Sequence, residues 1–321
     1  MKPRASKEQG VALLTTLLVL VMIIVLANEI FRIGSRTAQT SAYGRDSVRS
    51  IQLAEAGVSA ARVALREDAK NNSYDTLEEF WAQPTPAFEM GDGAISVLVE
   101  DEERKFNLNR LVMSNGNAPD EDRVAVFRLF LTNMRIDPSL ADAFVDWLDN
   151  DDTPRVGGAE SSYYLTLPHP YRAKNDLFDT VEEILLVRGV TPEIYQKIRP
   201  FVTVTSSGKL NINTAPAELL MSLSAGRIAA ESGAIDNSTA LRIVEYRREH
   251  AFQRMSDIGN VSPFLKNLYS QQSAFFSDFI DVKSTVFHVR SSGDVGGTIR
   301  TIDAIGTRSG NDVKWTFRRL E

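Results

Sequence analysis

The sequence predicts an α+β protein in which a long N-terminal helix packs on an antiparallel sheet and a large all-α domain is inserted between the strands. Three observations predict it. A helical pattern begins in an apolar run at Val11 and meets no proline until Pro84. Short β-runs bounded by turn residues lie on both sides of the middle of the chain, from Ala94 to Leu111 and from Val282 to Leu320. Between Met113 and Asp278 the texture is helical instead.

The bulk numbers narrow the function classes. The chain has 321 residues, 43% of them hydrophobic, which is far too few for a polytopic membrane protein. A net charge of -6 argues against nucleic acid as the main partner. There is no cysteine, which excludes a disulfide scaffold and thiolate-held zinc or iron–sulfur sites. The three histidines, His169, His250 and His288, are too widely spaced to suggest a zinc site or a triad.

The first element is a membrane segment. Residues 1–10 carry Lys2, Arg4 and Lys7, and residues 11–27 (VALLTTLLVLVMIIVLA) carry no charge. As a helix this run covers roughly 25 Å, close to the hydrocarbon thickness of a bilayer. The basic leader should stay in the cytoplasm while the remaining chain is exported. The residues leave three readings open: a signal peptide cut after Ala27, a plain signal anchor, or a leader cut at Gly10. Past Ala27 the pattern turns amphipathic through Ile30, Phe31, Ile33, Val48, Ile51, Leu53, Ala54, Val58, Ala61, Val63 and Leu65. One helix to about Arg66 fits; two helices linked through Gly34–Gly44 are the alternative.

The junction KEQG-VALL resembles the class III leader of type IV pilins and pseudopilins. That resemblance implies cleavage between Gly10 and Val11 by the prepilin peptidase, followed by N-methylation of Val11. Most members of that group carry glutamate five residues after the cut, paired with the amine of the subunit above. Here the position is Thr15. An unpaired carboxylate in hydrocarbon costs several kcal/mol, so a subunit with nothing above it gains by losing the charge. The K-type minor pseudopilins of type II secretion systems share this departure.

The body follows in order. Ala94–Val99 and Lys105–Leu111 read as strands, as do Val282–Arg290, Thr298–Gly306 and Asp312–Leu320, with turns at Gly293–Gly297 and Ser309–Asp312. Residues 67–112 and 279–321 would then form one pilin-like unit on the spine, split by residues 113–278. The helices expected in the insert are Asp120–Met134, Pro138–Leu148, Thr180–Arg188, Pro192–Ile198, Pro216–Leu223, Ser238–His250 and Ser256–Gln271, several with a proline or a capping residue at the start. An insert of this kind is what the K-type resemblance implies.

Two motifs lie in the insert. Asp146–Pro154 reads DWLDNDDTP and is followed by Gly157, Gly158, Ala159 and Glu160. Alternating carboxylates in a loop can converge on a hard cation, and an acidic cap on the preceding helix is the other reading. The register is not that of an EF-hand. The stretch resembles the DWLDxDxxP…GAE signature of K-type pseudopilins, whose inserted domain binds Ca²⁺. Carried over, the resemblance makes Asp149, Asp151 and Glu160 the metal candidates, with Asn175 a further one and a carbonyl between Pro154 and Gly158 completing the shell.

The second motif is Leu210–Pro216 (LNINTAP), followed by Arg242, Phe252 and Asp257-Ile258, and it resembles helix-hairpin-helix proteins that bind DNA. Asn213 and Thr214 are expected to cap a helix at Pro216, and Phe252 to pack beneath the next turn. The glycine hairpin is missing: Ser224-Ala225-Gly226-Arg227 stands in its place. Val187–Pro192 has a hairpin's shape but sits beside Glu182 and Glu183, and residues 120–183 hold fourteen acidic against six basic residues. Phosphate would be repelled there, so a helical fold reused for protein contact is the expectation.

No nucleophile–base pair, phosphate loop or metal-hydrolase helix appears, so the expectation is an assembly protein rather than an enzyme. The resemblance implies a single-pass inner-membrane protein with a periplasmic body, at the tip of the pseudopilus. It also implies the I- and J-type minor pseudopilins as partners, with the H-type or major pseudopilin below, and no nucleic acid. The alternative is an exported, anchored helix-hairpin-helix protein of DNA uptake.

Overall fold

Helix α1 (Ser6–Asn71) is 66 residues long and is the spine of the molecule. The computed structural model describes residues 6–84, 86–116, 118–224 and 235–321. α1 runs unbroken through Gly34 and Gly44, neither of which leaves the helical region, and a Cβ at either would meet nothing within 4 Å. The glycines cost helix propensity there without making a hinge. The apolar residues from Val11 to Leu26 are exposed, whereas the second half of α1 is packed.

After α1 come β1 (Phe88–Met90), β2 (Gly93–Asp101) and the two-residue β3 (Phe106–Asn107). The helical region holds β4 (Val202–Thr203) and β5 (Leu210–Asn211) and closes with β6 (Ile280–Asp281); β7 (Val286–Val295), β8 (Thr298–Ser309) and β9 (Asp312–Leu320) end the chain. One antiparallel sheet has the order β1-β2-β7-β8-β9, while β3 pairs with β4 and β5 with β6, both in parallel. The fold is α+β, with the helical region interrupting the hairpin that β2 and β7 would otherwise form.

Ala54, Val58, Ala61 and Leu65 recur at helical spacing and press on Val99, Phe287, Val289, Ile302, Ala304 and Val313 of the sheet, forming one core. The approach is close: a Cβ on Gly57 would lie 2.1 Å from Ser291 Oγ, and one on Gly293 2.1 Å from the Ser50 carbonyl. A second, larger core lies among the helices, including α2 (Glu121–Asn133) and α3 (Leu140–Leu148), around Phe127, Phe144, Tyr164, Phe252 and Phe276. The two ends of the sheet differ. Gly93 pairs with Val295 at the end beside Ser50, whose hydroxyl donates to the Thr298 carbonyl. Asp101 pairs with Phe287 at the other end, where Arg308 reaches Asp68 near the C-terminus of α1. The helical domain therefore grows from the end of the sheet remote from the apolar half of α1.

Several expected elements differ in detail. Of Lys105–Leu111 only Phe106–Asn107 is a strand: Asn107 Oδ1 accepts from the Asn109 N–H at 3.0 Å and starts a 3-10 turn, Leu108–Arg110. Thr180–Arg188 is a 3-10 turn, Val181–Leu186. Ser256–Gln271 divides into a 3-10 turn, Met255–Asn260, and a helix, Pro263–Gln271, because Ser262 caps a new start at Pro263. Gly293 lies in the ladder opposite Ile95, and the turn is made by Gly296 and Gly297, whose φ values are +58° and +81°. Val282–Thr285 stays outside the sheet because its polar groups are engaged elsewhere.

Candidate metal centre

All nine residues of α3 are buried, including Asp142 and Asp146 on one face. Their burial is tolerable because Arg155 returns over them: its Nε donates to Asp142 Oδ1 at 2.9 Å and its backbone N–H to Asp146 Oδ2 at 3.0 Å. The returning loop can lie on α3 only because Gly157 and Gly158 lack side chains, while Val156 between them and Arg155 points to solvent. A Cβ on Gly157 would stand 2.6 Å from the Ser139 carbonyl, and one on Gly158 1.9 Å from Asp146 Oδ2. The Gly158 carbonyl accepts from Arg188 at 2.7 Å, and that of Arg155 from the Gly158 N–H at 3.0 Å.

This path delivers Glu160 beside the C-terminus of α3. Asp149, which ends α3, Asp151 and Glu160 each offer a carboxylate oxygen within 4.8 Å of the others. Glu160 is 1% exposed and Asp149 5%, whereas Asp151 is open to solvent. Asn175 joins them from a separate turn. Its backbone is left-handed (φ +48°), its N–H donates to the Trp147 carbonyl at 3.0 Å, and its Nδ2 to the Asp151 carbonyl at 2.9 Å. Both Glu160 oxygens, Asp149 Oδ1 and Asn175 Oδ1 are buried without a hydrogen-bond partner.

The electrostatics follow. Burial, then the charges of Asp146 and Asp149, push the Glu160 carboxyl up to about 8. Burial, then Asp151 and Asp146, push Asp149 up to about 6. Two other carboxylate groupings among the described residues already contain a cation of the protein's own. Lys105 lies 2.8 Å from Glu100 and 2.9 Å from Glu102, and Arg308 joins Asp68 to Asp75. Among the described residues no Lys or Arg pairs with the Asp149–Asp151–Glu160 group; the Arg155 guanidinium is spent on Asp142 and Glu121. A donor set of oxygen alone, charged and preformed, suits a hard cation with flexible coordination such as Ca²⁺. The sequence pattern pointed to the ligand candidates but not to the Gly157-Gly158 contact that seats Glu160.

The other singled-out residues lie elsewhere. Gly10, Val11 and Thr15 are on the exposed N-terminal part of α1. Thr15 Oγ1 donates to the carbonyls of Val11 (3.1 Å) and Ala12 (2.9 Å), so its hydroxyl is satisfied inside its own helix. In the LNINTAP stretch, Thr214 and Asn213 do not cap the helix at Pro216, where no side-chain cap is made. Thr214 instead donates to Asp101, and Asn213 brackets the backbone of Phe252, so these polar groups are turned inward. Of the residues expected to replace the glycine hairpin, Ala225, Gly226 and Arg227 lie outside the described residues.

The family described as type II secretion system (T2SS), protein K, matches residues 104–207. The type II secretion system protein K of Aeromonas hydrophila is 28% identical over 99% of this chain and 98% of its own length. That of Pseudomonas aeruginosa is 34% identical over 78% of this chain and 75% of its own. Among solved structures, one chain of the GspK–GspI–GspJ complex of the enterotoxigenic Escherichia coli type 2 secretion system superposes with a TM-score of 0.66 over 89% of this chain and 99% of that one. At 21% identity this likeness speaks for the fold.

Proposed function

The chain belongs to the type II secretion system protein K family, the K-type minor pseudopilins, and from that premise we propose that it closes the tip of the periplasmic pseudopilus and helps start its assembly. The observation that carries this reading is the position of the helical domain. It stands on the end of the sheet remote from the apolar part of α1, where a subunit lying above this one in the filament would have to sit. Thr15 supports the same place: its hydroxyl needs no partner, so nothing above has to supply one.

In this proposal the leader is cut between Gly10 and Val11 by the prepilin peptidase and Val11 is methylated. Residues 11–27 hold the subunit in the inner membrane, with the body in the periplasm. The I- and J-type minor pseudopilins bind beside it, by analogy with the complex that supplies the similar fold, and the H-type or major pseudopilin follows below. The role is assembly, not catalysis. Deletion of residues 113–278 tests the capping step: the I- and J-type partners should no longer form a normal tip complex with the shortened chain. A normal complex would overturn capping. Mass spectrometry of the mature N-terminus should find methylated Val11; a start at Asn28 would exclude pilin-type processing.

We also propose that Asp149, Asp151, Glu160 and Asn175 hold Ca²⁺, which would neutralise the crowded carboxylates and tie α3 to the Asn175 turn. The support is the set of buried oxygens without partners. Calorimetry with Ca²⁺ against a chelator tests it: binding heat and a higher melting temperature are expected, and neither would appear if the oxygens served only as a cap.

A further inference from the structure

The two hydrophobic cores do not merge. Between them lies a layer of buried polar side chains that includes Asp75, Asp101, Glu103, Asn211, Thr214, Ser284 and Arg308. Ser284, at the return from the helical domain to the sheet, is the hub. Its N–H donates to Asp75 Oδ2 at 2.7 Å, and its carbonyl accepts from Arg308 at 2.6 Å. Its hydroxyl donates to Asp101 Oδ2 at 2.7 Å and accepts from Asn211 Nδ2 at 2.8 Å. Thr214 Oγ1 donates to the same Asp101 oxygen at 2.6 Å, and Asn211 Nδ2 also reaches the Asp75 carbonyl at 3.1 Å.

The helical domain grips the opposite side of the same turn. Arg247 is a buried cation whose Nη1 donates to the carbonyls of Ile212 (2.8 Å) and Ala215 (2.6 Å). Asn213 exchanges two hydrogen bonds of 2.9 Å with the backbone of Phe252. Leu210–Ala215 is thus a bracket with one side fixed in the helices and the other in the end of the sheet. Apolar contact is non-directional and tolerates sliding, whereas these bonds are satisfied in one relative orientation and leave buried groups unpaired in any other.

We propose that the LNINTA turn is an orientation lock: Asn211 and Thr214, acting through Ser284 and Asp101, fix the angle of the helical domain on the pilin-like sheet. The geometry that resembles a nucleic-acid motif serves a joint within the chain. What the lock is for rests on the capping proposal, since a domain that leaves no room for a subunit above it must be held in place. The lock itself does not depend on that proposal.

The test is an intramolecular distance measurement on the full-length protein in detergent. The chain has no cysteine, so Ser96→Cys on the exposed side of β2 and Leu241→Cys on an exposed helical face supply two unique sites for spin labels. The labelled protein should give one narrow distance distribution. Thr214→Val with Ser284→Ala should widen it at least twofold while circular dichroism shows both domains still folded, and Thr214→Ser in the chain that keeps Ser284 should leave the distribution narrow, since the hydroxyl is retained. An unchanged width in the folded double variant would overturn the lock. So would global unfolding of that variant, which would make the layer part of a single cooperative core, or a widened distribution in Thr214→Ser. The capping proposal stands or falls separately, on tip-complex formation by the chain lacking residues 113–278.

Discussion

The polar layer between the cores and the acidic loop at the end of α3 are built from the same residue type and end differently. In the layer, every buried carboxylate meets a donor: Asp75 has Arg308, Asp101 has two hydroxyls, and Glu103 accepts from Thr285, Ser207 and Val286. In the loop, Glu160 has none on either oxygen and Asp149 lacks one on Oδ1. Burying a carboxylate is costly unless it is paired, so the carboxylates of the first region are matched within the chain, whereas those of the second are left for a charge from outside, as the calcium proposal requires. Burial alone does not single out the acidic loop; carboxylate oxygens buried without a donor do.

The comparison can be broken most sharply at Arg308. Arg308→Met should leave Asp75 and Asp68 facing each other without compensation and cost about 3–5 kcal/mol, read by denaturant unfolding. If the loss were as small as that of an exposed pair, the layer would not be a closed set of charges.

The loop should respond in the opposite sense. Glu160→Gln removes a carboxyl that burial and its acidic neighbours keep from ionising, so without divalent cation the variant should be as stable as the parent or more so. With Ca²⁺ at about 100 times its Kd the parent should gain about 2.7 kcal/mol, and the variant should lose most of that gain. Thermal melts with Ca²⁺ and with chelator check both arms.

Protons compete for the same oxygens. Glu160 holds its proton to about 8 against an ordinary 4.5, so the folded state binds that proton more tightly than the unfolded chain does. The chelated protein should therefore lose stability as pH rises from 4.5 toward 8 and level off above. Cation binding displaces the proton, so affinity should increase across the upper part of that window, by up to about tenfold per pH unit for one proton. Calorimetric titrations at pH 6, 7 and 8 would show it. A pH-independent affinity would remove Glu160 from the ligand set.

The smallest effect belongs to Asp151→Asn. Asp151 is exposed and already accepts from the Thr153 N–H at 2.7 Å, so the lost charge is screened by water. Affinity for Ca²⁺ should fall by about tenfold or less, well below the effect of Glu160→Gln.

Much of the architecture was legible in the residues. A stretch without proline from Val11, with Ala54, Val58, Ala61 and Leu65 at helical spacing, encodes its own helix. The alternation in Ala94–Val99 and the glycine turns near the C-terminus encode the strands locally. What could not be read depends on distant parts of the chain. Lys105–Leu111 has the composition of a strand, but Asn107 bends it by bonding to Asn109. The LNINTAP pattern specifies the shape of a turn but not that Thr214 will meet Asp101, 113 positions away. Ser284 carries no local signal at all, since its four partners, Asp75, Asp101, Asn211 and Arg308, come from four other segments. In the acidic loop the spacing of oxygens was visible, while the burial of Glu160 arises from Gly157 and Gly158 lying on α3.

The interrupted hairpin also sets an order of events in time. Asp101 and Phe287 face each other across β2 and β7 although they are roughly 185 residues apart in the chain, and closing so long a flexible loop costs about 4–5 kcal/mol of entropy. Once the helical domain has collapsed, its two ends are already neighbours and most of that cost is gone. The sheet, and with it the packed half of α1, should therefore zip late. Pulsed hydrogen exchange during refolding should protect amides of α2 and α3 before those of β7. A chain made from its N-terminus would then keep its spine without a sheet until its last forty residues are in place.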